Sequence, residues 1–234
     1  MKLLLPIALL LFFISCEQQP ECPTSGTGET TGTSESGNTQ TTPNTLCPTP
    51  TDPVPPVPEP DPNDDVPPEA LIFETRSTLN NFGPQDEVKV NKALEIIKAV
   101  VATKEFRNRV IGFTYLGKKQ FLDNVGKTNL QIYQSLLTGA ETLDAAIDHE
   151  MDLDLELYYS FRNTVGYTFA DVLHIWMNTK YFYVYTPAQV AGNIFHEWTH
   201  KLGYDHDANY SVARDSSVPY ALGYLMEELG KKYE

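Results

Sequence analysis

TPAQVAGNIFHEWTHKLGYDHD, residues 186–207, organises the reading of everything around it. Thr186 offers a capping hydroxyl, and Pro187 suits the first helical position, where its missing N–H leaves no bond unmade. The helix predicted from Pro187 runs through Leu202 and ends where Gly203 can take a left-handed conformation. Three of the chain's five histidines and a glutamate lie within twelve residues at its end. His196 and His200, four apart, project about 40° apart around the axis and one turn apart along it, so both imidazoles reach one ion. A catalytic zinc keeps one tetrahedral position for water, so a third protein ligand must come from beyond the helix. Gly203 permits the turn that brings His206 back to supply it. Glu197, beside the first histidine, is then placed to take a proton from water at the metal.

Leu71–Thr75 reads as a short strand. Gln85–Val110 carries Val88, Leu94, Ile97, Val101 and Phe106 at mostly three- and four-residue spacing, the pattern of one long amphipathic helix. Ile111–Leu116 has an extended character. Thr128 caps NLQIYQSLL, a short helix stopped at Gly139. HEMDLDLELYY, from His149, alternates strictly, with Met151, Leu153, Leu155 and Leu157 on one face of a half-buried strand. Its acidic face reads as the solvated side, because calcium sites gather six or more oxygens, normally from loops. Val172–Met177 and Tyr181–Tyr185 are dense in aromatic and β-branched residues and read as strands. Ser217-Val218-Pro219 opens a last helix through YALGYLMEELGKK. His149 and His174 are expected to be hydrogen-bonded or exposed rather than ligands, and Phe195 and Trp198 to face the core. One long helix, several strands and two further helices make an α+β domain.

His196 to His206 fills every fixed position of H-E-x-x-H-x-x-G-x-x-H and so resembles the metzincin zinc metallopeptidases. Asp207, directly after the third histidine, extends the similarity to their adamalysin-like branch. The match is tight over twelve residues and loose over the order of elements. It implies a small domain with a twisted mixed sheet, a backing helix, an active-site helix and a C-terminal helix. It also implies Zn2+ held by His196, His200 and His206, with Glu197 as catalytic base. An exposed edge strand ahead of the active-site helix should accept a peptide by backbone pairing, and Val172–Met177 is the candidate. The family carries a methionine turn beneath the metal, written S-x-M-x-Y. Here Ser216-Ser217-Val218-Pro219-Tyr220 is the nearest match, with Val218 in the methionine's place. Tyr220 takes the place of a tyrosine that approaches the metal or the transition-state oxyanion. Met226, the one methionine after the motif, falls inside the last helix.

The expected activity is a zinc-dependent metalloendopeptidase. The alternative is a surface binding lipoprotein whose zinc site is structural or vestigial; Glu197 speaks for the first and Val218 for the second. A third is hydrolysis of a non-peptide amide at the cell wall.

The first fifteen residues, MKLLLPIALLLFFIS, set one lysine before an apolar run too short for a spanning helix and read as an export signal. Phe13-Ile14-Ser15-Cys16 resembles the lipobox of bacterial lipoproteins. It implies a lipid anchor on Cys16, a cell-envelope location and, with Glu17 following the cysteine, the outer membrane. Residues 16–66 are rich in Thr, Ser and Pro. From residue 17 they hold nine acids, eleven prolines and no Lys or Arg. Such composition buries too little apolar surface to offset its ordering entropy, so a disordered tether is expected, with a glycosylated spacer as the competing reading. Cys22 and Cys47 remain as an even pair for which a disulfide is the default in an oxidising compartment. Residues 67–234 form the catalytic domain. Its twenty-two acids against sixteen bases argue against nucleic acid as a partner. The expected partners are a protein or peptide substrate and, through Cys16, a membrane, with the chain acting as a monomer.

Overall fold

A computed structural model of the chain describes residues 73–234. The signal segment, Cys16, the tether with Cys22 and Cys47, and the first residues of the strand expected at Leu71 lie outside them. No helix among the described residues is long and apolar enough to cross a membrane.

The strictly alternating segment forms β2, Glu150–Tyr158, and buries Met151, Leu153, Leu155 and Leu157 as its period demands. Parallel to it on one side runs β1, Glu74–Asn80, with Glu74 opposite Glu150. On the other side runs β4, His174–Asn178, also parallel, with His174 opposite Asp154. The three-residue β3, Gly166–Thr168, joins β4 antiparallel and completes a four-stranded mixed sheet in the order β1-β2-β4-β3. The candidate edge at Val172–Met177 is therefore an inner strand, and the edges are β1 and β3. A strand as short as β3 leaves no period in the sequence from which its pairing could be read.

The acidic face of β2 is a hydrogen-bonded row. Asp154 and Glu156 each lie 2.6 Å from a ring nitrogen of His174, and they also accept from the Asn80 and Asn81 amides at 2.7 and 3.0 Å. His149 bonds the Leu137 carbonyl at 2.7 Å. Both isolated histidines are thus hydrogen-bonded groups.

The stretch expected as one long helix is two, α1 at Pro84–Val101 and α2 at Lys104–Ile111. Apolar spacing runs through the break, but the Thr103 hydroxyl accepts from Phe106 N at 3.0 Å and starts a new helix there. Ile111–Leu116 is not a strand. It closes α2 and enters a tight turn in which Tyr115 bridges Lys118. Helix α3, Asn129–Thr138, has the expected cap at Thr128 and the expected left-handed stop at Gly139. Tyr181–Tyr185 is also not a strand. The Asn178 side chain accepts from Lys180 N at 3.1 Å and folds Thr179–Phe182 into the short helix α4, a local cap that outweighs β propensity.

Helix α5, Pro187–Lys201, is the axis of the core. Thr186 and Gln189 form its capping box, and every residue from Val190 to Lys201 is buried. A helix buried on all sides packs in every direction, and α5 contacts α1, β3, β4 and α6, Val218–Gly230. Two glycines, Gly192 and Gly223, meet in the α5–α6 contact. A Cβ on Gly223 would stand 3.0 Å from Gly192 O and 3.0 Å from His196 Cβ. Phe195 and Trp198 face inward as expected, edge-on to Phe106 and Phe73 at ring distances of 5.8 Å.

Candidate metal centre

The last two turns of α5 carry His196 and His200 on one face. Gly203, at φ +85°, reverses the chain just beyond them, a conformation open to glycine at no steric penalty. The reversal is tied back by Gly203 N to His200 O at 3.1 Å and Tyr204 N to Thr199 O at 3.2 Å. Tyr204 is buried, and its hydroxyl meets Ser135 Oγ of α3 at 2.7 Å, which pins the turn to the helix layer. His206 thereby returns to the helix. Its ring centre lies 5.1 Å from that of His196 and 5.0 Å from that of His200.

The three histidines form the one group among the described residues able to hold a metal ion, with all their ligand atoms within 4.8 Å of one another. Two observations test the fit. Nε2 of His196 and Nε2 of His206 are 3.3 Å apart. Two nitrogens bound to one tetrahedral zinc at its usual bond length stand about 3.3 Å apart. The second observation concerns protons. His200 Nδ1 donates to Tyr204 O at 2.8 Å and His206 Nδ1 donates to Asp207 O at 3.0 Å. A carbonyl only accepts, so each bond puts the proton on Nδ1 and leaves the Nε2 lone pair for a metal. His200 Nε2 is buried and has no hydrogen-bond partner. The Pro219 backbone acts on the His196 ring but makes no hydrogen bond of normal geometry with its Nδ1. The donor set, three imidazoles brought together by the end of α5 and the turn beyond it, could hold a metal ion.

Electrostatics favour the same state. Burial first, and the neighbouring imidazoles next, hold His196 well below its ordinary value. Burial and then His206 bring His200 down to about 4, and burial also lowers His206. All three rings are therefore neutral near pH 7, the form that ligates.

Glu197 has no exposed surface, and neither carboxylate oxygen makes a hydrogen bond of normal geometry, although the Asn193 amide is close. Burial pushes it up to about 8, with Lys201 one turn along pulling the other way. Lys201 is itself buried. Its ammonium donates to the carbonyls of Phe169, Val172 and His174, tying the β3–β4 loop to the end of α5.

Val218, in the methionine's place, is fully buried. Its N–H donates to Leu122 O at 3.2 Å, while Leu122 N donates to Ser216 O at 2.9 Å. This pairing fixes the start of α6, and Tyr220 two residues on is carried against the histidines. The Tyr220 ring centre is 4.5 Å from that of His196 and 4.6 Å from that of His206. Met226 is buried within α6, as its position implies.

His196, His200, His206 and Tyr220 thus converge, Glu197 is buried on α5 beside the first of them in sequence, and Cys16 lies outside the described residues. Lys201 and Glu141 brace α5 and Arg214 lies against Tyr220, and sequence reasoning passed over all three. Glu141 is buried and accepts from Trp198 Nε1 at 2.7 Å, anchoring the helix from its far side. Lys201 sits at a variable position of the motif and Glu141 in an acidic loop, so nothing in the local pattern distinguishes them. Searches with this chain match no family model, no curated protein and no solved structure.

Proposed function

We propose that this chain is a metzincin-like, zinc-dependent metalloendopeptidase, held at a bacterial cell envelope by a lipid on Cys16. The observation that carries the reading is the three-histidine cluster at the end of α5, with the buried carboxyl of Glu197 next to its first member in the chain. A site that only braces the fold needs the histidines and has no use for that carboxylate.

In this reading His196, His200 and His206 hold zinc. Bound there, zinc would act as a Lewis acid on the scissile carbonyl and on water. Burial alone keeps Glu197 protonated below about pH 8; a dication on the histidines would favour its carboxylate, which then takes the proton from the attacking water and passes it to the leaving amine, a general acid–base role. Tyr220, packed against two of the ligands, offers its hydroxyl to the developing oxyanion. The β3 edge, next to α5, takes over the peptide-pairing role expected of Val172–Met177.

The test compares wild type with Glu197→Ala on a peptide library, with metal content measured on both. Each should hold about one zinc per chain, and cleavage should disappear from the variant. Equal behaviour of the two on every peptide would leave a zinc-holding binding protein instead, and a folded, metallated sample without zinc would remove both readings.

A further inference from the structure

Between the third histidine and α6 lies a buried charge without a role so far. Arg214 opens a single 3-10 turn, Arg214–Ser216, and is almost wholly buried. Its guanidinium carbon is 4.3 Å from the centre of the Tyr220 ring and 5.2 Å from that of Tyr210. Its backbone is fixed at both ends, by Arg214 N donating to Ser211 Oγ at 3.0 Å and Ser217 N donating to Arg214 O at 2.9 Å. The ring it covers is the one that meets His196 and His206.

We infer that Arg214 is a positioning residue of the metal centre, packing the Tyr220 phenol against His196 and His206 and setting a fixed positive charge behind it. The inference rests on the proposed role of Tyr220 in holding an anion. A guanidinium stays charged at every accessible pH and stacks flat on an aromatic face, an attraction that strengthens as water is excluded. For a site that must accept negative charge beside Tyr220, a guanidinium held 4.3 Å from the centre of that ring is preorganised stabilisation.

The experiment is a double-mutant cycle on the zinc-loaded full chain, with Arg214→Met, Arg214→Lys and Tyr220→Phe singly and each arginine variant combined with Tyr220→Phe. Two readouts are taken, the kcat and KM of peptide cleavage and the calorimetric affinity for acetohydroxamate as an anionic probe. Arg214→Met should keep its zinc, lose roughly 30-fold in kcat and change KM little. Arg214→Lys, which keeps the charge without the planar face, should fall between and serves if the methionine variant does not fold. In the Tyr220→Phe background either arginine variant should lose less than about threefold further, because its effect runs through the hydroxyl. Acetohydroxamate affinity should follow the same pattern. Equal losses in both backgrounds, or no loss in either, would overturn the inference. If wild type cuts no peptide, the peptidase reading fails by itself, and the acetohydroxamate cycle still decides the role of Arg214.

Discussion

Gly223→Ala tests whether the α5–α6 contact sets the metal geometry. The added Cβ would lie 3.0 Å from Gly192 O and 3.0 Å from His196 Cβ, both on α5 and neither the tip of a flexible side chain. Carbon atoms rest about 3.5–4.0 Å apart, so the two helices must part by about half an ångström or more at the residue that bears the first ligand. Metal–ligand distances tolerate about 0.2 Å. In the metal-free protein the two consequences partly cancel. Alanine is better than glycine in a helix interior by about 1 kcal/mol, whereas overpacking costs about 1–3 kcal/mol. The net loss of about 0–2 kcal/mol lowers Tm by about 0–8 °C for a domain of this size. Zinc binding has no such compensation and should weaken about 10- to 100-fold, the range seen when the surroundings of a ligand are disturbed. Competition with a chromophoric chelator, well below the melting range, reads the affinity, and melts of metal-free protein read the rest. Zinc affinity within twofold of wild type would refute the idea that this contact positions His196.

Two further outcomes follow from buried groups around α5. Lys201→Met removes three bonds from a charged donor to the carbonyls of Phe169, Val172 and His174. Amide exchange across 169–174 should quicken at least about tenfold while β2 is unchanged, and uniform exchange over both would deny the loop its anchor. Burial pushes the Glu141 carboxyl above its ordinary value, with the Trp198 and Asp152 N–H groups pulling back. A raised folded value gives stability that is present below the unfolded value of about 4.3 and is lost as pH rises through the folded value. Glu141→Gln should therefore gain in Tm relative to wild type between pH 4 and pH 8, and a difference that does not grow with pH would contradict the assignment.

What could be read in advance followed from strong local patterns. The alternation of β2, the caps at Thr128 and Thr186 and the stop at Gly203 each have a backbone cause that acts within a few residues. The three-histidine cluster was legible because four-residue spacing fixes the relation of His196 and His200 on a helix and glycine fixes the return of His206. Errors arose where tertiary partners decide. The apolar stripe of 85–110 does not reveal that Thr103 divides it. Aromatic density at 181–185 says nothing of the Asn178 cap. The inner position of β4 depends on β3, which is too short to announce itself. Arg214 stands in an irregular segment, and its meaning comes wholly from the ring it covers.

The parallel pairing of β1 with β2 has a consequence in time. The side-chain amide of Asn81, just past β1, reaches Leu157 O, 76 residues further along the chain. Everything between them, including α1, α2 and α3, must emerge before the first strand finds its partner, and β4 must follow before β2 is enclosed. Loops of this length close slowly, and long-range parallel pairing belongs among the slow topologies. The helix bearing the first two histidines follows all of these in the chain, so during synthesis β1 and β2 emerge before the three-histidine cluster.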